Sequence, residues 1–549
     1  MNDATARVDP WSESHQETGV VFTDVEHCRR RWYRDPRWFV AAAATLLVAV
    51  ILYGLFGPDP PILVSPETTV ITGPPAADGL PDYAAARLAL AGPAPPPEDN
   101  AAVDLLLMTW PMYLSPSDLR LVCTAVGIPD SPPASRLLIP EWSGNDAVTL
   151  WTVSDASEHP WTTNEHPALA AWLETNATFL DRLVTAADKP RWWLANPALL
   201  GGSPDWFGDA PAVDALTMFL ECRALLHLGE GRHAAAWRDL RAIERWGRLL
   251  ADPRNGPQRQ LFQLSVQSVQ IRAARSIARH LLPLPALPSD LLAEIRTEFA
   301  SDEAAPDPAE TLRGERLQSV GMVVSLARRL PGGRSARPRR VQMDRGEVNP
   351  LVDAALATRL DWGGVLIAFT EAHDDALAAL RLPTHAARRA ELDRLRAGWA
   401  ATAPAVRSVR ANTATVLRGL IEPRRRERAL AAWLAIDAFD RVAYFDGPAA
   451  VTACRELVRT TAALAAWRAD RAPGEPLFPE RIDDMVPRYL DHVPNDPFTD
   501  SPLRYRRVGD VVLLVIAGDD GIDNGGDDRL DIVVRMPPPP SPGAPPPPP

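Results

Sequence analysis

The feature that most constrains the fold is the helical spacing of apolar residues, which persists from Asp82 to about Arg471. Its clearest example is a pair of segments, Ala212 to Leu228 and His233 to Leu250, that are separated by a short Gly-Glu-Gly turn. In both segments apolar residues recur at intervals of three and four, which places them on one face of a helix. Because the turn is tight, we expect the two helices to form an antiparallel hairpin. The sequence therefore predicts a mainly α protein.

Further segments with the same spacing extend this prediction along the chain. They are Pro167 to Ala187, Gln258 to Leu282, Ser289 to Ala300, Glu310 to Leu330, Asp361 to Leu380, Ala386 to Ala401, Arg424 to Phe445 and Ala450 to Ala469. Each is longer than a typical strand. Ser289 is expected to be the N-cap of its helix, because a serine side chain can accept a hydrogen bond from the first turn.

The length of the chain implies several packed units. Its 549 residues exceed the size at which one hydrophobic core usually stops growing. We expect a helical body with halves at 82–300 and 301–449, followed by a C-terminal module at 450–536. A proline-rich spacer is expected at 57–81 and a polyproline tail at 537–549. The formal net charge of -12 argues against a nucleic-acid partner, which would require a basic surface.

An uncharged apolar run, Trp38 to Phe56, predicts a transmembrane helix at 38–56. Its nineteen residues match the ~30 Å hydrocarbon core at ~1.5 Å per residue. A cluster of arginines precedes the run, and Pro58, Asp59 and Pro60 follow it. This asymmetry predicts a signal anchor with a cytoplasmic tail at 1–37 and the bulk of the chain in the periplasm of a bacterium. The expected location is thus the inner membrane, as a single-pass protein; a cleaved signal peptide and a buried helix are the alternatives.

The four cysteines show neither a metal-binding pattern nor the pattern of a small disulfide scaffold. Cys28, Cys123, Cys222 and Cys454 are far apart and include no CxxC pair. Under the membrane prediction Cys28 is cytosolic, and one disulfide among the other three is compatible with the sequence. Buried thiols are the alternative, because free cysteine is among the most buried residue types.

Known catalytic motifs are absent from the sequence. It contains no HExxH, GxSxG, P-loop or GxGxxG pattern. Glu371, Asp374 and Asp375 lie close to His373, but helical geometry places the histidine on a different face, which favours a solvated polar surface. The pair Trp192–Trp193 would suit carbohydrate stacking, although core packing also explains it. The chain is therefore not predicted to be an enzyme.

In the C-terminal module the helical spacing of apolar residues gives way to short segments that are typical of strands and turns. A helical turn is expected around Asp483 to Val486, and three strands are expected at Pro502 to Arg507, Val511 to Ala517 and Leu530 to Arg535. The first two strands would form a hairpin that turns near Gly509. Between the second and third strands lies the segment GDDGIDNGGDDRLD, residues 518–531, which we call the acidic loop.

Several ordered elements of this module resemble the major pseudopilin of type II secretion systems. They are Met485-Val486-Pro487-Arg488-Tyr489-Leu490, Pro494-Asn495-Asp496-Pro497-Phe498, Leu503-Arg504-Tyr505, and Gly518-Asp519-Asp520-Gly521 with Asp531-Ile532. The resemblance implies a long helix that leads to a small antiparallel sheet, and an acidic loop that holds calcium. It covers a small part of the chain, and no prepilin-type sequence occurs at the apolar run. Filament assembly is therefore not implied.

The residues of the acidic loop agree with the calcium site that the resemblance implies. Asp520, Asp527, Asp528 and Asp531 supply carboxylates, and the glycines allow main-chain carbonyls to turn inward. These are the hard oxygen ligands that calcium takes, although the spacing is not that of an EF-hand. A solvated acidic loop is the alternative. We expect calcium as the cofactor, with these four aspartates as metal ligands.

The expected function is that of a non-enzymatic envelope protein. It would be a membrane-anchored helical scaffold for protein contacts that ends in a pseudopilin-like, calcium-binding module. The whole layout also resembles large uncharacterised bacterial single-pass membrane proteins, which implies no activity. Two alternatives stay open: an accessory component of a type II secretion or pilus-like system, and an envelope hydrolase without a known motif. The expected partners are the bacterial inner membrane and envelope or secretion proteins.

Overall fold

Most of the described chain is helical, and a small antiparallel sheet lies near its C-terminal end, as the sequence predicts. A computed structural model describes residues 36–109, 114–130, 148–201, 210–252, 263–300 except 286, 307–329, 359–402, 423–440, and 446–537 except 519, 528 and 529. Nearly all of the predicted cytoplasmic tail, Cys28 and the polyproline tail beyond residue 537 lie outside these ranges.

Sixteen α-helices are present in the described ranges. They are α1 (Pro36–Phe56), α2 (Tyr83–Ala91), α3 (Ala101–Thr109), α4 (Pro116–Val126), α5 (Leu150–Ala156), α6 (Pro167–Thr175), α7 (Ala177–Ala186), α8 (Ala210–Gly229), α9 (His233–Ala251), α10 (Gln263–Ser276), α11 (Ser289–Glu298), α12 (Pro308–Arg329), α13 (Trp362–Leu380), α14 (His385–Thr402), α15 (Pro423–Asp440) and α16 (Asp446–Ala469). The end of α10 continues into a π-helical turn, Ile277–Leu281.

The predicted helices are present where the structure describes them, with differences at their ends; residues 258–262, 330 and 441–445 of the predicted helices lie outside the described ranges. Helices α8 and α9 form the predicted hairpin, and the turn between them contains Gly231 in a positive-φ conformation. The segment predicted as one helix from Pro167 is two helices, because Asn176 departs from helical backbone angles between α6 and α7. Ser289 is the first residue of α11 and not its N-cap, a position that Pro288 occupies.

The buried apolar side chains form two clusters. The first core joins helices α3 to α11 with α16 and the C-terminal sheet. The second core joins α2, α12, α13 and α15. Residues 453–536 thus pack in one core with residues 101–299. The C-terminal module is therefore built into the first core, while the predicted domain boundaries stay a prediction.

Two short strands near the C-terminal end, β1 (Asn495–Asp496) and β2 (Ser501–Pro502), pair with each other. The C-terminal sheet consists of β3 (Arg504–Val508), β4 (Val511–Ile516) and β5 (Ile532–Met536). Its strand order is β3-β4-β5, and both pairs are antiparallel. Alternate side chains of β4, at Val512, Leu514 and Ile516, are fully buried in the first core. Leu513 and Val515 consequently lie on the opposite, outer face of the sheet.

The prediction of a transmembrane helix is wrong for this structure. The run Pro36–Phe56 does form a helix, α1. To cross a hydrocarbon core of ~30 Å a helix needs about 20 consecutive apolar residues. In the part of the chain that the structure describes, no helix is both long enough and apolar enough to do so. The signal anchor and the single-pass inner-membrane location, with its periplasmic body, are therefore not supported.

The proline-rich segment at 57–81 lies along the second core. Asp59 accepts hydrogen bonds from the backbone N–H of Leu360 at 2.8 Å and from the indole N–H of Trp362 at 3.3 Å. Further along, Arg328 of α12 donates two hydrogen bonds to Asp78, at 2.6 and 2.9 Å. These contacts fix the segment to the start of α13 and the end of α12.

Candidate functional site: the acidic loop

The acidic loop connects β4 to β5 and folds back over the outer face of the sheet. Gly526 makes the closest contact, since a Cβ at this position would lie 3.3 Å from Cδ2 of Leu513 and 3.6 Å from Cγ2 of Val515. The φ angle of Gly526 is 83°, a conformation that favours glycine. Arg535 of β5 donates a hydrogen bond to its carbonyl oxygen at 3.1 Å. The glycine thus allows the loop backbone to cover apolar side chains of the sheet.

Asp531 is buried at the end of the loop, and its carboxylate organises the loop backbone. The backbone N–H of Asn524 donates to both carboxylate oxygens, at 3.2 and 3.1 Å, and the N–H of Gly526 donates to Oδ2 at 2.8 Å. The N–H of Asp531 itself donates to the carbonyl of Asp527 at 2.7 Å. Backbone groups therefore occupy both oxygens of a predicted calcium ligand.

Asp520 lies at the exposed start of the loop and makes similar local bonds. Its carboxylate accepts a hydrogen bond from the N–H of Ile522 at 2.9 Å and one from the side-chain amide of Asn524 at 3.0 Å. These two bonds lower the pKa of Asp520, and the positive charge of Arg389 on α14 adds to the effect. Asn524 is thus the residue that connects the Asp520 and Asp531 carboxylates.

Asp523 provides a charged contact between the loop and the sheet. Its carboxylate forms an ion pair with Arg504 at the start of β3. The exposed fractions of the two side chains are 33% for Asp523 and 50% for Arg504. The pair therefore joins the acidic loop to the edge strand in a partly solvated position.

The described carboxylates of the acidic loop are not gathered around one point as a metal site requires. Calcium takes six to eight oxygen ligands, and in this structure Asp520 and Asp531 accept hydrogen bonds from N–H groups of the loop. Within the described ranges, no group of three or more His, Cys, Asp or Glu side chains is placed to hold a metal ion. Asp528 lies outside the described residues, so its place in the predicted site stays a prediction, as does calcium binding itself.

Asp496 is a residue of this region that the sequence interpretation did not single out. It is buried, and its carboxylate accepts hydrogen bonds from the N–H of Phe498 at 2.8 Å and of Ala517 at 2.9 Å. It thereby fixes the position at which β4 ends and the acidic loop begins. Its place in a Pro-Asn-Asp-Pro step between two prolines is the signal that could have indicated a structural aspartate.

A second set of carboxylates lies on α9, inside the first core. Asp239 is fully buried and accepts two hydrogen bonds from Arg223 of α8, both at 2.8 Å. Glu244, also fully buried, forms an ion pair with Arg455 of α16. Burial raises the pKa of Glu244, an effect that the nearby arginines oppose. Charged pairs thus join α9 to two neighbouring helices in the interior.

The same helix is tied to α11 by a cluster of arginines. Arg241 donates to Glu298 of α11 at 2.9 Å, and Arg245 and Arg248 also form ion pairs with that carboxylate. The pKa of Glu298 is lowered because these contacts outweigh its partial burial. The sequence interpretation missed this cluster, although the spacing of the arginines places them on one side of α9.

The acidic stretch on α13 has the exposure that its helical spacing predicts. Glu371, Asp374 and Asp375 are exposed, whereas His373 is fully buried beside Phe369. Burial lowers the pKa of His373 to about 4. The prediction that the histidine and the carboxylates lie on different faces is confirmed.

A groove of about 1010 Å³ lies beside this part of α13. Its lining includes Asp361, Glu371 and Glu427, together with Pro60, Pro61 and Ile367. Asp361 also accepts a hydrogen bond from the N–H of Gly364 at 3.2 Å, as the N-cap of α13. The groove therefore combines carboxylates with apolar side chains.

The three cysteines that the structure describes and the tryptophan pair are interior residues. Cys123, Cys222 and Cys454 are buried and unpaired thiols, and burial raises the pKa of Cys454 to about 11. Trp192 and Trp193 are buried in the first core. The interpretation that packing explains the tryptophan pair is therefore confirmed.

Comparisons of the chain with protein-family models, with curated proteins and with solved structures gave no significant match.

Proposed function

We propose that the protein is a non-enzymatic binding scaffold that presents its C-terminal sheet on a rigid helical body. The observation that carries this proposal is the single core shared by the sheet and the first helical cluster. Arg279, in the π-helical turn after α10, donates a hydrogen bond to the carbonyl of Val533 in β5 at 2.9 Å. Arg468 of α16 likewise donates to the carbonyl of Pro283 at 3.1 Å. The Arg279 bond and the shared core thus hold the sheet against the helical body, as a surface for protein contacts requires.

The exposed end of the β3–β4 hairpin is a suitable contact surface. Val508 and Val511 pair across the hairpin, with exposed fractions of 68% and 47%. Apolar side chains held at the end of a rigid hairpin can bury surface against a partner at a small cost in conformational entropy.

Quantitative co-purification with the full chain tests this proposal. The variant carrying Val508→Asp and Val511→Asp is compared with wild type and with Leu90→Asp, an exposed apolar position on α2. The proposal expects wild type and Leu90→Asp to retain the same partners, and the hairpin variant to lose at least one of them. Identical partners for all three proteins would contradict it.

Membership in a type II secretion or pilus-like assembly is a narrower form of the same proposal. The supporting observation is a three-stranded antiparallel sheet at the position where the resemblance to the pseudopilin implies one. Binding of the full chain to purified secretion components would support this role, and no binding with or without calcium would count against it. The full chain is required because the sheet shares its core with the body.

Hydrolysis is a second candidate function, favoured by the carboxylates of the groove beside α13. Two carboxyl groups that flank a bound substrate can act as general acid and general base. Glu371 and Glu427 are the side chains that we would assign to these roles. A panel of glycoside and peptide substrates tests this candidate, which expects turnover by wild type that Glu371→Gln abolishes. No turnover by wild type would reject it.

A further inference from the structure

The acidic loop has a high density of negative charge, which opposes its compact conformation. Residues 518–531 include six aspartates and one arginine. Like charges at such spacing repel one another, and a bound cation is one way to offset the repulsion. In this structure positive charge is supplied by the chain itself, from Arg504 at the edge of the sheet and from Arg389 on α14.

We propose that Arg504 is a resident counter-cation of the acidic loop and that the loop closes on the sheet without a metal ion. Arg504 forms its ion pair with Asp523, in the middle of the loop. Asp523 also accepts a hydrogen bond from the N–H of Gly525 at 2.9 Å, immediately before the glycine that contacts the sheet. The arginine therefore acts on the part of the loop that packs against Leu513 and Val515.

The hydrogen bonds of Asp531 hold the loop backbone in its present course. Its carboxylate accepts from the N–H groups of Asn524 and Gly526, and Gly526 is buried against the sheet. A cation at Asp531 would share oxygens that already accept these bonds, and any rotation of the carboxylate toward it would weaken the bond to the buried N–H of Gly526. An arginine that pairs with Asp523 requires no such rotation.

The sheet contributes a second arginine through a different contact. Arg535 of β5 donates to the carbonyl of Gly526 at 3.1 Å. That carbonyl is one of the main-chain oxygens that an inward-turned, glycine-rich loop would offer to calcium. Arg504 and Arg535 thus engage a carboxylate and a carbonyl of the loop from the two outer strands of the sheet.

Thermal melting of the full chain tests this inference. It is measured with calcium, with magnesium and after treatment with chelator. The variants are Arg504→Ala, the charge-preserving Arg504→Lys, and Arg506→Ala as the matched control. Arg506 is exposed on the same face of β3, two residues from Arg504. The inference goes beyond the proposed function and does not depend on it.

We expect wild type to show no calcium-specific rise in melting temperature and no fall after chelation. Arg504→Ala should melt below Arg506→Ala, and Arg504→Lys should recover most of the difference. A saturable rise of the wild-type melting temperature with calcium but not with magnesium would overturn the inference. Equal melting temperatures for Arg504→Ala and Arg506→Ala would overturn it as well.

Discussion

The acidic loop and helix α9 both concentrate carboxylates, but the two regions hold them in different ways. In the loop the aspartates are neighbours in the sequence, and they are held by backbone N–H groups and by one half-exposed arginine. On α9 the carboxylates Asp239 and Glu244 are fully buried and are paired with arginines from other helices. The density of acidic residues in the sequence therefore does not indicate which carboxylates contribute most to the stability of the fold.

This difference has a physical consequence for the effects of mutation. Removal of one partner from a buried ion pair leaves an uncompensated charge in a medium of low polarity, whereas solvent and salt screen a half-exposed pair. We therefore expect larger losses of stability from changes around α9 than from changes in the acidic loop.

The largest expected effect comes from Arg455→Ala. This change leaves Glu244 buried with only the more distant Arg248, whose Nε lies 3.7 Å from the glutamate Oε1. We expect a loss of about 3–5 kcal/mol in the free energy of unfolding, measured by urea denaturation. Adding Glu244→Gln to this variant should recover part of the loss, because it removes the unpaired charge. A loss below about 1 kcal/mol would contradict the buried-pair account.

The free energy of unfolding is expected to depend on pH through His373, because burial beside the second core favours the neutral form of this histidine. Its pKa falls from about 6.5 to about 4 on folding, so the unfolded chain binds more protons between these pH values. The contribution of His373 is complete above about pH 6.5 and is lost as the pH falls, by about 3 kcal/mol at about pH 4. His373→Leu should reduce the slope of unfolding free energy against pH in this range.

The control for the histidine prediction is His492→Leu. His492 is exposed in the C-terminal module, so its replacement removes a histidine without opening the second core. Equal slopes for wild type and His373→Leu would show that His373 does not titrate as its burial implies.

A smaller effect is expected from Asp531→Ala in the acidic loop. The change removes the acceptor for the N–H groups of Asn524 and Gly526, and we expect a loss of about 1–3 kcal/mol in unfolding free energy. Hydrogen exchange should show faster exchange of these two amides than in wild type. Unchanged protection of both amides would contradict the assigned role of Asp531.

The smallest effect is expected from Gly526→Ala, with Gly525→Ala as its matched control. Both glycines have positive φ angles, 83° and 75°, so both changes introduce backbone strain of roughly 1 kcal/mol. Only at Gly526 would the new methyl group also meet Leu513 and Val515. Thermal melting should therefore show a larger loss for Gly526→Ala, and equal losses would argue against packing of the loop on the sheet.

The helices and strands could be predicted because their signals are local. The three- and four-residue spacing predicted α8 and α9 almost to their ends, and the strand predicted at Val511 to Ala517 contains β4. The interruption at Asn176 was missed because the apolar spacing continues across it.

The candidate site was less predictable because its contacts are not local. The sequence placed acidic residues in the loop, but the acceptor role of Asp531 depends on where the loop backbone directs its N–H groups. The partner of Glu244 lies 211 residues away, so no spacing rule connects it with Arg455. The transmembrane helix was predicted from the length and apolarity of the sequence Trp38 to Phe56 alone. Among the described helices none is long and apolar enough to support that prediction.

The central claim is that α9 holds its carboxylates in strongly coupled buried ion pairs, whereas the ion pair of the acidic loop, between Asp523 and Arg504, is weak and partly solvated. Two double-mutant cycles measured by urea denaturation test it most directly, one on Glu244 and Arg455 and one on Asp523 and Arg504. The account predicts a coupling energy above about 2 kcal/mol for the buried pair and below about 1 kcal/mol for the loop pair. Equal coupling energies, or a larger one in the loop, would contradict it.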